Sequence, residues 1–284
     1  MRNNLRNILI IVSVIALGII VSVLVFNGGT EEEEQEKVLR VGMECAYAPY
    51  NWAQSDDSNG AVPIAGSTEY AYGYDVMMAK YLAEKMGYTL EIYQIDWDSL
   101  PVALQSNKID CVIAGQSITE ERLQTVDFTT PYYYASIVGL TKNDSQYADA
   151  TGLKGLEGAT CTSQINTVWY DVCLPQIENA NILPAMEVAS QMLVSLESGK
   201  SDLVVTDMPT AMAATKVYND MKILDFTNSD DNFNVSEEEI NIGISVKKGN
   251  SELLNELNNA LATLTVEDFE RMMNDAINVQ PLSN

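Results

Sequence analysis

Apolar and polar positions recur with two different periods along this chain, and the change from one period to the other marks out the elements in order. Val38-Leu-Arg-Val-Gly-Met alternates and reads as a first strand. Behind it, Val76, Ala79, Ala83 and Met86 fall on one helical face, with Asp75 placed to cap that helix and Gly87 to stop it. Residues 89–95 read as a second strand and 98–107 as a short helix. The run Ile-Asp-Cys-Val-Ile-Ala at 109–114 reads as a strand buried on both faces. After it, Ser117-Ile-Thr-Glu120 has the form of a capping box that opens another short helix. Strands alternating with helices predict an α/β fold with mostly parallel sheets covered on both faces, and such sheets hold ligands beyond the carboxyl ends of their strands.

Several loops stand at such ends. In Ala114-Gly115-Gln116-Ser117-Ile118-Thr119-Glu120-Glu121-Arg122, free backbone N–H groups and the positive end of a helix dipole converge, and Arg122 adds a planar two-pronged donor. Gly115, Gln116, Ser117, Thr119 and Arg122 therefore suit a carboxylate or a phosphate. The stretch Glu44-Cys-Ala-Tyr47-Ala-Pro-Tyr50-Asn-Trp52 follows the first strand with one acid and three aromatics beside a proline turn. Gly158-Ala-Thr-Cys-Thr-Ser-Gln164-Ile-Asn166-Thr167 repeats the strand-then-loop form and leads into a helix through Val168-Trp-Tyr-Asp. Lys200-Ser-Asp-Leu-Val-Val-Thr-Asp207 is a buried strand ending in an acid, placed both to cap a helix near Pro209 and to meet a cation in a cleft. Further strands are expected at 136–142 and 240–247, and C-terminal helices over 252–264 and 266–277.

Gly73-Tyr-Asp-Val, Asp96-Trp97-Asp-Ser-Leu, Ala103-Leu-Gln-Ser-Asn-Lys-Ile-Asp110 and Val126-Asp-Phe-Thr-Thr-Pro-Tyr-Tyr133 accompany the Arg122 loop in order. Over about residues 38–284 this series resembles the extracellular solute-binding proteins of family 3, the amino-acid receptors of ABC importers. The resemblance implies a two-lobed type II periplasmic-binding-protein fold, each lobe a mostly parallel sheet flanked by helices. Residues 38–140 and 241–284 would form lobe 1 and residues 141–240 lobe 2, with strands 136–142 and 240–247 as the hinge. It also implies capture of an α-amino acid between the lobes and delivery to a membrane permease, with no cofactor and a monomeric chain.

Carried over residue by residue, the resemblance gives Ser117, Arg122 and amides near Gly115, Thr119 and Thr167 the α-carboxylate, and Asp207 the α-ammonium. Glu44 would meet a distal polar group, and Tyr47 and Trp97 would sandwich the apolar stem, which implies a polar or cationic amino acid. Tyr50, Trp52, Gln116 and Gln164 complete the expected ligand-binding set. In the second-lobe loop, Asn166 stands where the family usually has Gly; Asn tolerates positive φ, so the backbone shape is expected to survive.

Charge narrows the partners. Lys and Arg number 16 against 40 Asp and Glu, a formal net charge of −24, and His is absent. Such a surface repels nucleic acid and anionic lipid. Arg2 and Arg6 precede an uncharged apolar stretch at 8–26 that is about long enough to cross a bilayer, so the remainder is expected outside the cytoplasm. Residues 1–37 would be a retained anchor or a cleaved signal followed by an acidic spacer. No Cys closes the apolar stretch, so the lipoprotein route common in the resembling family is absent.

Cys45, Cys111, Cys161 and Cys173 leave three disulfide connectivities open, and a pairing of 45 with 111 and 161 with 173 would keep each bridge within one lobe. Unpaired structural thiols are the alternative. No cysteine spacing resembles a zinc site. Without His or a Gly-x-Ser-x-Gly motif, only Glu44, Asp207 and the cleft tyrosines remain for proton transfer, so no catalytic residue is expected. A dehydratase-like enzyme and a ligand-sensing module on the same fold are the competing readings; a sensor is expected to continue into a signalling domain.

Overall fold

A computed structural model describes residues 37–280 of the chain. The apolar stretch 8–26 and the acidic run after it lie outside the described residues. Among the described residues no helix is long and apolar enough to cross a membrane.

Two five-stranded sheets carry the fold. The first is ordered Thr89–Gln94, Val38–Met43, Cys111–Val112, Ser245–Lys247, Val126–Phe128. Val41 lies opposite Ile92 on one side and Cys111 on the other, both in parallel register, whereas Ser245–Lys247 runs antiparallel to both its neighbours. The second sheet is ordered Asn181–Ile182, Thr160–Thr162, Leu203–Asp207, Ile137–Lys142, Met221–Leu224. It too is parallel at one end and antiparallel where Ile137–Lys142 enters.

The chain crosses between the sheets twice. It leaves Val126–Phe128 through Tyr133–Tyr134 to reach Ile137–Lys142, and returns from Met221–Leu224 through Asn241–Ile242 to Ser245–Lys247. The two crossing segments pair antiparallel, Tyr134 opposite Asn241 and Tyr133 opposite Ile242. The strand expected over 240–247 is thus broken in two at Gly243, where a Cβ would meet the Ile118 side chain at 2.8 Å.

The strand and helix patterns put the core where the periods indicate. Leu39, Val41 and Met43 are fully buried, as are Val76, Ala79 and Leu82 of the helix Tyr74–Met86. Gly87 ends that helix at φ +70, its N–H returning to the carbonyls of Ala83 and Glu84. Asp75 does not cap it: Gly73 holds the N-cap position, and Asp75 sits in the first turn with its carboxylate turned into the core. The helix expected over 98–107 becomes a short 3₁₀ turn, Trp97–Ser99, and a helix Leu100–Gln105 whose Pro101 lies in the first turn, where no N–H is needed.

The C-terminal helices are Ser251–Leu261 and Val266–Val279. The second packs against Tyr74–Met86 and also against Met208–Val217, which follows the second sheet's central strand. Lys216 Nζ donates to Asn278 Oδ1 at 2.6 Å there. The last helix therefore touches both halves of the molecule. All four cysteines are buried free thiols, so neither proposed bridge is present. Cys45 lies in the loop after the first strand and Cys111 within the next strand of that sheet, each occupied as a small apolar core residue.

Candidate ligand-binding cleft

The loop after Cys111–Val112 turns sharply at Gly115, which holds φ +60 and could not carry a Cβ, because that atom would lie 2.6 Å from the Tyr47 ring. Beyond it Ser117 forms a backbone bridge to Ile242, so the helix begins two residues later than the sequence pattern predicts. Thr119 is the N-cap of Glu120–Leu123, its hydroxyl accepting from the Arg122 N–H at 3.2 Å. The Ser117 capping box is not formed. Arg122 folds back from this short helix: one guanidinium nitrogen donates to the Ser117 carbonyl at 2.9 Å, another to the Asn166 carbonyl at 2.9 Å, and its plane lies 5.4 Å from the Trp97 ring centre. Burial pulls the Arg122 pKa down to about 10, which leaves it cationic at neutral pH.

Asp207 approaches from the end of Leu203–Asp207 in the second sheet. One carboxylate oxygen accepts from the Thr210 N–H at 2.9 Å, capping Met208–Val217, and the other accepts from the Tyr47 hydroxyl. Both roles anticipated for this acid therefore meet in one side chain. Burial pushes its pKa up, against the hydrogen bonds that pull it down. Tyr47 is stacked on Tyr50 at 4.6 Å and meets the edge of Trp169 at 5.9 Å.

At the far end, Glu44 is 4 % exposed; Oε2 accepts from Gln164 Nε2 at 3.1 Å and Oε1 has no hydrogen-bond partner among the described residues. Desolvation raises its pKa to about 7, opposed by hydrogen bonds from Gln164 and the Ala189 backbone. Asn166 adopts φ +56, the left-handed shape expected at that position, and its side chain donates to Asp98 Oδ1 at 2.7 Å. Thr167 donates to the Gln164 carbonyl at 2.7 Å and accepts from the Tyr170 N–H, closing the turn.

Tyr47, Trp97, Gly115, Ser117, Arg122, Gln164 and Thr167 thus line one small cavity of about 20 Å³, together with Val168 and Trp169. Outside it opens a larger cavity of about 630 Å³ bordered by Thr119, Gln116 and Asn166 and by five carboxylates, Asp98, Glu120, Glu121, Asp171 and Glu239. Tyr50 is fully buried behind Tyr47 and does not line the small cavity. Trp52 is not brought to it either: in the hairpin it lies opposite Ala46 and Tyr72, stacks edge-on with Tyr72 at 5.3 Å, and borders a separate cavity with Ala189 and Leu193. The Gly115 N–H donates to the Tyr132 hydroxyl at 3.1 Å, so it is engaged behind the cleft rather than offered to it. Val168 and Trp169 are the lining residues of the small cavity that sequence reading missed, and Trp169 is the larger. Its one signal was a tryptophan two residues after Thr167 in a stretch otherwise read as plain helix.

Two sheets joined by two crossovers, with half-buried Arg122 lining the small cavity from the first and buried Asp207 reaching Tyr47 of that lining from the second, define a two-lobed α/β fold. The family model of bacterial extracellular solute-binding proteins, family 3, matches residues 39–274, and the chain belongs to that family. It is 32 % identical over 142 residues to the arginine-binding extracellular protein ArtP of Bacillus subtilis, a match covering 50 % of this chain and 49 % of that one. It is 29 % identical over 229 residues to the ABC transporter arginine-binding protein 1 of Escherichia coli K12, covering 74 % and 83 %. Among solved structures, the substrate-binding protein of an amino acid ABC transporter aligns with a TM-score of 0.69 at 27 % identity, over 85 % of this chain and 99 % of that one.

Proposed function

We propose that the protein is an extracytoplasmic receptor that encloses a free α-amino acid between its lobes and hands it to the permease of an ABC importer. In this reading residues 38–140 and 241–284 act as lobe 1, residues 141–240 as lobe 2, and the paired crossing segments as the hinge. The protein works as a monomer, and the apolar stretch 8–26 anchors it to the membrane or directs its export.

The observation that carries the reading is that Arg122 lines the small cavity while Asp207, at the end of the second sheet's central strand, accepts from the hydroxyl of Tyr47, another residue of that lining. A zwitterion supplies the two complementary charges: its carboxylate suits the Arg122 guanidinium, and its ammonium suits Asp207. The interior cavity, about 20 Å³, has room for about a single water and is far below the roughly 300–1,000 Å³ of a small-molecule pocket. Ligand entry therefore requires the lobes to part. Tyr47 to Asp207, Gln164 to Glu44, Arg122 to the Asn166 carbonyl and Asn166 to Asp98 are the cross-cleft bonds that parting breaks. Each has a charged partner and contributes about 1.5–3 kcal/mol, so a ligand shifts the balance toward a filled closed form by as much as its own charged contacts to Arg122 and Asp207 exceed the bonds it replaces.

The side-chain end favours a polar or cationic ligand. Glu44 Oε1 makes no well-formed hydrogen bond, the carboxylate having beyond Gln164 only a weak contact from the Ala189 backbone, so a distal amine, amide or guanidinium would bond it better. The five carboxylates at the outer cavity draw cations toward the same opening. Arginine recognition by two of the relatives supports this class. A thermal-shift screen of the full chain against the twenty amino acids tests the function: a polar or cationic amino acid should raise the melting temperature by mass action. The absence of any response across the panel would sink the proposal.

A further inference from the structure

Behind the cleft lies a buried carboxylate that ligand capture does not itself use. Asp75, from the first turn of Tyr74–Met86, is completely buried, and no Lys or Arg pairs with it. Its Oδ1 accepts from the Tyr132 hydroxyl at 2.6 Å and its Oδ2 from Asn51 Nδ2 at 2.7 Å. Each partner is held in its donating orientation from the other side. The Tyr132 oxygen accepts the Gly115 N–H at 3.1 Å, so its proton must face Asp75. Asn51 Oδ1 accepts the Cys45 N–H at 2.7 Å, so its amide nitrogen must face Asp75. Both carboxylate oxygens thereby serve as acceptors, with the Gly115 N–H also acting on the carboxylate, and the ionised group accepts all of these without introducing a competing donor.

The two tethers end on the two first-lobe segments that line the cleft. Gly115 opens the loop bearing Ser117 and Arg122; Cys45 sits between Glu44 and Tyr47. Tyr132 also donates its own N–H to the Ile242 carbonyl at 2.8 Å, in the segment that crosses back between the sheets. We propose that Asp75 is a positioning residue for ligand binding: its ionised carboxylate sets the Gly115 loop through Tyr132 and the Glu44–Tyr47 segment through Asn51, and its neutralisation releases one of them. The proposal rests on the amino-acid-binding reading above.

A proton on Oδ1 competes with the Tyr132 hydroxyl for that oxygen, and a proton on Oδ2 competes with the Asn51 amide, so either weakens one of the two tethers. Burial pushes the Asp75 carboxyl up to about 6. The titratable groups that face it are Asp207 across the cleft, Cys45, Tyr47, Tyr74 and Tyr132, and none supplies a compensating positive charge. The signs for folding and for binding are opposite. A raised carboxyl is disfavoured when charged in the folded state, so its contribution to stability falls as pH rises from the ordinary carboxylate range through about 6. Ligand affinity through the same group rises over that interval. A merely structural carboxylate would not strengthen binding while weakening the fold.

The test is isothermal titration of the full chain with its best amino acid from pH 5 to pH 8, for wild type, Asp75→Asn and Tyr132→Phe, with melting temperatures alongside. Glu44 and Asp207 also titrate in the cleft, so the informative quantity is the gap between wild type and variant at each pH. Asp75→Asn, which brings a donor where an acceptor is required, should bind at least about tenfold more weakly than wild type at pH 8 and converge on it toward pH 5. Tyr132→Phe should weaken binding in the same direction and decides the matter if Asp75→Asn does not fold. A folded variant that binds within twofold of wild type at pH 8, or a gap that is equal at pH 5 and pH 8, overturns the assignment. A wild-type chain that binds no amino acid overturns the function itself, and is distinguished from variants that match a wild type that does bind.

Discussion

Truncating Arg122 to Ala removes a charged group that makes two hydrogen bonds, to the Ser117 and Asn166 carbonyls, and covers the Trp97 ring. In the unliganded protein the loss is partial, because the carbonyls of exposed loops recover water. In the complex the same guanidinium faces a carboxylate inside a cleft that excludes water, where hydrogen bonds to charged groups contribute about 1.5–3 kcal/mol each and removal of one partner of a buried charge pair costs about 2–5 kcal/mol. Affinity for every α-amino acid should therefore fall roughly thirtyfold to several thousandfold, well beyond the ~0–1 kcal/mol of a surface ion pair. Titration calorimetry on the purified variant, with circular dichroism to show that it is folded, reads this directly. A folded Arg122→Ala protein that binds its best amino acid within about threefold of wild type would refute the assignment and leave Arg122 as a surface residue that merely bridges two loops.

Glu44→Gln should reorder ligands rather than weaken all of them, costing a cationic amino acid more at pH 8 than at pH 6, because below about 7 the wild-type side chain is itself neutral; equal losses at both pH values would contradict this. In the unliganded protein, the Glu44 contribution to stability should fall as pH rises from the ordinary carboxylate range through about 7, and Glu44→Gln should remove that fall from a pH series of melting temperatures. Gly115→Ala should cost about 1–2 kcal/mol for the left-handed backbone alone and weaken binding further by displacing Tyr47, so an unchanged denaturation midpoint would argue against it. If the stretch 8–26 is retained, the protein should stay in the membrane fraction through a high-salt wash; recovery from the medium of a form whose N-terminus lies beyond residue 27 would show cleavage instead.

Local periodicity carried most of the fold. The alternation in Val38–Met43, the apolar face of Tyr74–Met86 and its stop at Gly87 are short-range signals that tertiary packing had no reason to override. Arg122, Asp207, Glu44, Gln164 and Thr167 could be singled out as candidates because each lies just beyond a strand or near the start of a helix; of these, Arg122, Gln164 and Thr167 line the small cavity. What failed depended on contacts distant in sequence. Ser117 has the right spacing to cap, but its backbone is taken by Ile242, over a hundred residues later, which moves the cap to Thr119. Asp75 has the right position to cap, but Tyr132 and Asn51 draw it inward. Trp52 shares a segment with Tyr47, yet the hairpin register sends it to the Tyr72 side. The cysteines show the same limit: an oxidising exterior permits bridges, and only the packing shows four separate buried thiols.

The central claim is that the cleft holds both charged ends of a free amino acid at once, the carboxylate by Arg122 and the ammonium by Asp207. The most direct measurement is calorimetric titration of the full chain with three compounds: the amino acid giving the largest thermal shift, its decarboxylated amine, and its deaminated acid. The side chain is identical in all three, so only the two clamped groups differ. The account predicts saturable one-to-one binding of the amino acid and at least about hundredfold weaker binding of each analogue, since each leaves one buried charge in the cleft unpaired. An amine or acid that binds as tightly as the amino acid would contradict it.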